Sequence, residues 1–441
     1  MGLFSRVFGS VQLTPAARRS LNREQITELT VPVALAMLEG GFIGVIADKI
    51  YNVPPSVIAL LTAAPMFGNL SSYLWNGIAS ARSKVPIVVL LQTLTMVCLL
   101  LVAFSPPTTT GIVFLCAGVV LARVFTAGTI TIRSVVWSLN YVREVRARTT
   151  GRLQLITSLV MVITTMVGAP ILDGNPTSFR IMYVVATMIA MLGIFSFSRI
   201  EVIGEMRHRV AERRVRRVVS RASRVPLASF WRILRSDRHF ARYEFYQFLG
   251  GVSNMMLEAP LIYLVSREMN ASYTVSIALS VIIPHAIGTI TLPMWARYLD
   301  KVHVAEFRSR MSVFWVVSQL IMWVGAMLHG LWLLAVGRVT MGFARSAGTL
   351  AWQLGHNDFA NERDLVTYMG IHVTLTGLRG AFAPFMGIAL YVGWSVSWLP
   401  DFAGIGSHVF LVAAVISVWS WLGFRSLTRD INPEDHQQAI S

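Results

Sequence analysis

Residues 26–51 read ITELTVPVALAMLEGGFIGVIADKIY, a largely apolar stretch with the carboxylate of Glu39 at its centre. About 20 apolar residues in helical form span a bilayer, so this stretch predicts a transmembrane helix. A charged side chain at the middle of such a helix costs about 2.5–3.5 kcal/mol on insertion scales, and the charges found there are usually functional. Glu39 is therefore the first candidate for a functional residue.

The triplet Met37-Leu38-Glu39 returns 219 residues later as Met256-Leu257-Glu258. Other residues match at similar separations: Pro65 and Pro284 (219), Arg123 and Arg338 (215), Trp137 and Trp352 (215), and Pro170 and Pro384 (214). A slowly drifting separation is what small loop changes leave between duplicated halves. The sequence thus predicts a 6+6 internal repeat with a symmetric site between its halves.

The composition favours a membrane protein, because 54% of the 441 residues are hydrophobic and only 14% are charged, against about 25% charged residues in soluble domains. The net charge of +16 comes from Arg residues between the apolar segments, which indicates membrane topology and not nucleic-acid binding. Cys98 and Cys116 lie inside apolar segments, so no disulfide framework is predicted. No nucleotide loop, metal-ligand cluster or nucleophile motif is found, and we expect no enzyme activity, cofactor or metal.

Twelve transmembrane spans are predicted, at about residues 26–51, 55–80, 85–104, 110–138, 152–172, 179–199, 242–266, 272–297, 309–328, 331–354, 366–391 and 407–425. Basic residues concentrate in alternate loops, which marks these loops as cytoplasmic. We expect a multi-pass protein of the cytoplasmic (inner) cell membrane with both termini inside. Its predicted parts are an N-terminal segment (1–25), a six-helix bundle (26–199), a basic linker (200–241), a second six-helix bundle (242–425) and a tail (426–441).

The predicted linker, residues 200–241, holds eleven Arg against four acidic residues. Val210, Val215, Val218 and Val219 interrupt the arginines at roughly helical spacing. Two interpretations remain open. The linker is either a positively charged connection that fixes topology, or in part a basic amphipathic helix lying on anionic headgroups.

With these features the chain resembles the major facilitator superfamily over about residues 26–425. The family's loop after spans two and eight follows Gly-x-Leu-Ala-Asp-Arg-x-Gly-Arg-Arg. The second copy here reads WARYLDK at 295–301, whereas the first, GIASARSK at 77–84, has Ala81 in place of the acid. The resemblance implies an all-α fold of two pseudo-symmetric six-helix bundles, a monomer, and a gating latch that involves Arg82, Asp300 and Lys301. Ala81 cannot supply the carboxylate of a first-half latch.

Span four contains Arg123-Val-Phe-Thr-Ala and span ten contains Arg338-Val-Thr-Met-Gly. Both resemble the Arg-x-x-Gln-Gly pattern of the family's proton-coupled antiporters, with the Arg kept and the Gln replaced. In span five, Gly168-Ala-Pro170 with Gly174 is similar to their Gly-Pro motif. These resemblances favour the proton-coupled, antiporter-like branch of the family.

In the proteins that this chain resembles, spans one, four, seven and ten line the central cavity, which implies that Glu39, Glu258, Arg123 and Arg338 face it. A carboxylate in a low-dielectric site takes up a proton, whereas a nearby guanidinium favours the ionised form. We therefore expect these residues to bind protons or substrate, the alternative being two fixed salt bridges. Further proton- or substrate-binding candidates are His285, His372 and Arg379.

The sequence predicts a secondary active transporter of a small solute that works by alternating access, proton-coupled and directed toward efflux. One alternative is a proton-coupled importer of a small organic solute. Another is a transport-inactive membrane sensor or scaffold, which the missing acid at Ala81 and the basic linker would suit. The expected partners are a small-molecule substrate, protons and the lipid bilayer, with no nucleic acid.

Overall fold

The computed structural model describes residues 13–219, 227–360, 365–397 and 399–431. The predicted N-terminal segment up to residue 12, part of the predicted linker (220–226) and the tail beyond residue 431 lie outside the described residues. Within these residues the chain is helical apart from one short hairpin, which confirms the predicted all-α class.

The first half contains seven helices and a 3₁₀ turn at Pro176–Ser178. They are α1 (Pro15–Ala36), α2 (Gly40–Tyr51), α3 (Pro55–Ala79), α4 (Lys84–Ala103), α5 (Thr109–Asn140), α6 (Arg143–Gly174) and α7 (Phe179–Ser198). The predicted linker is not featureless, because it forms α8 (Glu205–Val219) and α9 (Leu227–Ser236).

The second half follows the same order with more interruptions. Its helices are α10 (Arg238–Met255), α11 (Glu258–Tyr263), α12 (Tyr273–Ile277), α13 (Ile283–Leu299), α14 (Val304–Met327), α15 (Leu331–Leu354), α16 (Leu365–Val392) and α17 (His408–Asp430). π-Helical turns occupy Leu264–Glu268 and Ala278–Ile282, and a 3₁₀ turn occupies Gly355–Asp358. Between α16 and α17, β1 (Trp394–Val396) and β2 (Leu399–Phe402) form an antiparallel hairpin that pairs Trp394 with Phe402.

The first helix differs from its prediction at both ends. It begins at Pro15, because the Thr14 hydroxyl accepts a hydrogen bond from the Ala17 N–H (3.3 Å) and Pro15 suits the first helical position. Hydropathy locates only the apolar part of a helix, so the polar turns before residue 26 were assigned to a separate segment. The helix also stops at Ala36 and restarts at Gly40, where the prediction had one continuous span.

Two compact units are present in the chain. The first comprises the described residues of 1–43 and 67–224, and the second those of 44–66 and 225–441. The predicted bundle boundaries at 26–199 and 242–425 remain a prediction.

The helix neighbours within the two units repeat. In the first unit α1 packs against α6 and α7, and α4 packs against α5 and α7. In the second unit α10 packs against α16 and α17, and α14 packs against α15 and α17. These are corresponding helices of the duplicated sequence, so the repeated residues occupy repeated places in the packing.

Ten helical segments are long and apolar enough to cross a membrane, all of them at predicted spans. The predicted second and tenth spans form α3 and α15 but are not among these ten, so the count of twelve is not confirmed. Large apolar side chains such as Ile130, Ile181 and Ile290 are exposed on the helix surfaces. In a bilayer such surfaces face lipid, and the chain is a multi-pass membrane protein.

Candidate functional site

The first candidate, Glu39, lies at a break in the helix. The N–H groups of Met37, Leu38 and Glu39 bond to carbonyls three residues back (3.2, 3.0 and 3.2 Å), and the new helix starts with Phe42 N–H bonded to the Glu39 carbonyl (2.8 Å). A break of this kind leaves carbonyl groups without helical partners. In a membrane such groups must be satisfied by other parts of the protein.

Arg123 from α5 satisfies this break and pairs with the acid. Its Nη2 donates to the Leu38 carbonyl (2.5 Å) and to Glu39 Oε1 (3.1 Å). The side chains of Arg123 and Glu39 are 11% and 20% exposed. Gly68 of α3 allows this approach, because a Cβ at Gly68 would lie 2.6 Å from the Arg123 carbonyl oxygen. One guanidinium therefore serves both a carboxylate and the broken backbone.

The second copy of the triplet also lies at a break. α10 ends at Met255, and α11 begins at Glu258. Arg338 Nη2 lies 3.1 Å from Glu258 Oε1 and 3.3 Å from Oε2. The same guanidinium donates to the carbonyls of Leu279 (2.6 Å) and Ser280 (2.7 Å) in the π-helical turn Ala278–Ile282. A π-turn frees main-chain carbonyls, and the Arg occupies them.

The two pairs differ in how firmly the cation is held. Arg338 is fully buried and bonds to two carbonyls as well as to both oxygens of Glu258. Among the described residues, Arg123 bonds to one carbonyl and one carboxylate oxygen, and it keeps some exposure. The geometry of the Arg338 pair is that of a fixed bridge, whereas the Arg123 pair has fewer bonds to break.

The candidate His285 contacts an arginine of α15. Its Nδ1 lies 2.9 Å from the Val281 carbonyl oxygen and its Nε2 lies 3.2 Å from Arg345 Nη2. A carbonyl accepts a hydrogen bond and a guanidinium donates one, so the ring carries its proton on Nδ1 and accepts at Nε2. The side chains of His285 in α13 and Arg345 in α15 are thus hydrogen-bonded to each other.

The candidates His372 and Arg379 lie with two residues of α10. His372 Nδ1 lies 2.8 Å from Glu244 Oε1, and its Nε2 lies 3.2 Å from Gln247 Nε2. Arg379 Nη1 donates to the Gln247 carbonyl (2.5 Å), with its guanidinium against the bare Cα of Gly251. The side chains of His372 and Glu244 are almost fully buried. The imidazole thus lies between a carboxylate and an amide, and the amide of Gln247 can donate or accept a hydrogen bond.

Sequence reasoning missed a charged cluster in the first unit. Glu24 and Glu28, one turn apart on α1, both pair with Arg133 of α5, at 3.0 Å for Glu24. Trp137 Nε1 donates to Glu24, and the Thr157 hydroxyl donates to Glu28. The hydropathy pattern predicts an apolar segment that begins at residue 26, which leaves Glu24 in the N-terminal segment. Two acids four residues apart on a helix face are the signal that could have found the cluster.

This cluster and the one at His372 lie at similar places in the two halves. Glu28 and Gln247 are 219 residues apart, Thr157 and His372 are 215 apart, and Trp137 and Trp352 are 215 apart, whereas Glu244 lies one residue beyond the position that matches Glu24. In each unit the polar residues of the first helix meet a polar residue of the fifth of the six predicted spans of that half. Each half therefore carries two polar layers, one at the Met-Leu-Glu break and one nearer the start of the helix.

A further ion pair, also missed, lies in the second unit. Asp48 of α2 is buried and pairs with Arg267, which also donates to the Val53 carbonyl (2.9 Å). The Ser266 hydroxyl donates to the same carboxylate (2.5 Å). The available signal was that Asp48 and Arg267 occupy matching positions of the repeat, 219 residues apart.

The predicted latch residues lie in the turns that follow α3 and α13. Asp300 follows the last turn of α13 and is exposed, as is Lys301. Among the described residues, the side chains of Arg82, Asp300 and Lys301 form no ion pair within 4.0 Å. Lys301 instead borders a surface groove of about 350 Å³ lined by Pro293, Met294, Arg297 and Tyr298. No group of three metal-ligating side chains occurs among the residues searched, which are those described.

Comparisons with known proteins agree with this architecture. Residues 31–323 match the family model described as Major Facilitator Superfamily. No curated protein matches the chain. Among solved structures, the nucleoside transporter NupG is similar (TM-score 0.66, 14% identity, 93% of this chain and 99% of that one). A D-xylose-proton symporter is also similar (TM-score 0.66, 12% identity, 92% and 96%), as is a POT peptide transporter in complex with sulfate (TM-score 0.70, 10% identity, 97% of each).

Loss of Arg133 should destabilise the cluster that it forms with Glu24 and Glu28. We expect Arg133→Met to lower the free energy of unfolding by about 3–5 kcal/mol, because it leaves two buried carboxylates without their cation. Thermal unfolding in detergent measures the loss. The matched control is Arg310→Met, whose pair with Glu306 is exposed (63% for Arg310), so a loss below about 1 kcal/mol is expected. Equal losses in the two variants would contradict the structural role of Arg133.

The two arginines at the breaks should respond differently to lysine. A lysine keeps the charge but cannot bond to a carboxylate and two carbonyls in the fork geometry of arginine. Arg338→Lys should therefore destabilise the protein by about 1–3 kcal/mol, and Arg123→Lys by less. Unfolding midpoints of the two variants, with Arg310→Lys as a surface control, measure the difference. A larger loss for Arg123→Lys would contradict the assignment of Arg338 as the more firmly held cation.

Proposed function

The chain belongs to the major facilitator superfamily, and from this premise we propose that it is a proton-coupled secondary transporter that moves a small solute by alternating access. Family membership and the fold support secondary transport as such. The observation that carries the proton coupling is the Glu–Arg pair at a helix break in each unit. An intramembrane acid is costly, and its retention at both copies of the triplet supports a function in the transport cycle.

The coupling follows from the chemistry of these pairs. Glu39 is neutralised by Arg123 while the two are 3.1 Å apart. When the helix that bears the arginine moves, the carboxylate loses its counter-charge in a low-dielectric site and takes a proton instead. The same movement releases the Leu38 carbonyl, which ties the proton to a change in the backbone. Glu39 with Arg123 is the better candidate for this exchange, because its cation has fewer bonds to break.

The second polar layer supplies another proton-binding candidate. The imidazole of His372 lies between the carboxylate of Glu244 and the amide of Gln247. Histidine changes charge between pH 5 and 8, unlike the arginines at the breaks. We infer that His372 contributes to the pH dependence of transport and that Arg379 positions Gln247.

Direction and location are inferred from the sequence. The arginine pattern of spans four and ten supports proton-coupled efflux. We also infer that the protein is a monomer in the cytoplasmic membrane. The basic loops support cytoplasmic termini. Uptake of a small organic solute is the alternative direction, and the experiment below separates the two by the sign of the pH change.

The test uses purified protein in liposomes that contain a trapped pH dye. Because structurally similar proteins are described as nucleoside, xylose and peptide transporters, the panel contains nucleosides, pentoses and dipeptides, together with organic cations and anions. We expect proton flux that depends on one class of solute. Glu39→Gln should abolish this proton flux yet keep the exchange of labelled for unlabelled solute, since exchange requires no net movement of protons. Glu258→Gln should weaken the proton flux less.

Two controls accompany this experiment. Glu306→Gln removes an acid from an exposed pair and should behave as wild type. Liposomes without protein measure the passive leak of protons across the bilayer. Wild-type proton flux and pH dependence in both Glu39→Gln and Glu258→Gln would end the assignment of these acids as proton sites. Solute movement without any proton flux in the wild type would leave a transporter but contradict the coupling.

A further inference from the structure

The helix α8, which belongs to the predicted linker, is bonded to the turn between α3 and α4. Glu212 Oε2 accepts hydrogen bonds from the Ala81 N–H (2.7 Å) and from Lys84 Nζ (2.7 Å). Glu205 Oε1 accepts one from the Lys84 N–H (2.8 Å). Arg209 Nη1 donates to the Ser83 hydroxyl (3.1 Å). Three residues on successive turns of α8 thus contact Ala81, Ser83 and Lys84 of the first unit.

This turn needs an external carboxylate for two reasons. The Lys84 side chain is only 1% exposed, although it is an ammonium at the positive end of α4, where a cation is unfavourable. Its Nζ also donates to the Ala79 carbonyl that ends α3 (2.7 Å). Ala81 has a φ of +61°, a left-handed conformation that costs a non-glycine residue about 1 kcal/mol. Glu212 neutralises the buried cation and bonds the N–H of the strained residue.

The second half of the chain meets the same need with residues of its own. The repeat places Asp300 at the position of Ala81, 219 residues later. The N–H of Val304, which starts α14 as Lys84 starts α4, donates to Asp358 Oδ2 (2.8 Å). Asp358 follows α15 and belongs to the second half itself. In the first half, the bonds to the start of α4 come from Glu205 and Glu212 of α8.

We propose that Glu212 is a positioning residue which supplies, from the linker, the carboxylate that Ala81 cannot supply. On this proposal α8 is a docked part of the first unit and fixes the start of α4 and the end of α3. The linker is then more than a charged tether. This inference is independent of the solute, the coupling ion and the direction of transport.

The ionisation of Glu212 keeps α8 docked at neutral pH. Partial burial raises the pKa of Glu212, but the hydrogen bonds from Lys84 and Ala81 and the Lys84 charge outweigh it and hold the pKa below the usual value of 4.5. His208, whose Nε2 lies 3.1 Å from Glu212 Oε1, adds to this effect when protonated. A group with a lowered pKa in the folded state stabilises above its unfolded pKa and loses the effect as the pH falls. Docking should persist above pH 4.5 and weaken below it.

The test combines a mobility probe with a rescue. A nitroxide label is attached to Met206→Cys, a position on α8 that is 78% exposed, after Cys98 and Cys116 are replaced by Ala. We expect Glu212→Gln to make the label mobile and to lower the midpoint of thermal unfolding by about 3 °C, because a buried cation loses its counter-ion. Adding Ala81→Asp should restore the midpoint, since the new acid lies beside Lys84, while the label stays mobile.

The control is Glu201→Gln, another acid of the linker, whose side chain is 75% exposed and lies 3.9 Å from Arg19. Glu201→Gln should change neither the mobility of the label nor the midpoint of thermal unfolding. Glu212→Gln behaving like this control would overturn the proposal. If Glu212→Gln does not fold but folds with Ala81→Asp added, the rescue supports the proposal. If neither folds, the label is read in the single variant Ala81→Asp, where competition for Lys84 should loosen α8, and an unchanged label would overturn the proposal.

Discussion

The hydrocarbon core of a bilayer offers no water to a main-chain carbonyl or a carboxylate, and both halves of the chain are built around this constraint. Each half breaks a membrane helix at Met-Leu-Glu and places an acid there. Each half then sends one arginine to the acid and to the carbonyls that a break or π-turn frees. The acid and the irregular backbone are tolerated together because one guanidinium has enough donors for both.

This sharing makes the acid and the backbone dependent on each other. If Arg123 withdrew, Glu39 and the Leu38 carbonyl would both lose a partner. A proton can replace the arginine at the carboxylate, but it cannot bond to the carbonyl. Loss of the arginine therefore favours a change in backbone geometry at the break. In the proposed function, the Glu–Arg pair couples protonation to conformation through this difference, with no rigid connection to a distant site.

Much of this arrangement could be predicted from the sequence, and the rest could not for identifiable reasons. The repeated Met-Leu-Glu and the arginines at 123 and 338 identified both pairs, since intramembrane charges are rare enough to stand out. The break itself was not predicted, because a local pattern does not show that an arginine 84 residues away will stabilise a discontinuity. Glu24 was missed because the hydropathy pattern placed the membrane boundary after it. Glu212 lies in a segment with eleven arginines, and its sequence context does not indicate the contact with Lys84 that the fold creates.

The polar layer nearer the helix starts shows how duplicated halves diverge. In the first half its cation is Arg133, which stays charged at any physiological pH. At the corresponding layer of the second half the acid Glu244 faces His372, and Gln247 replaces the second acid. The net charge of the first layer can change only if a carboxylate is protonated against its arginine. The second layer instead holds an imidazole between a carboxylate and an amide. The two halves therefore differ in the chemistry of this layer, while the first half provides the Glu–Arg pair with fewer bonds among the described residues at its break.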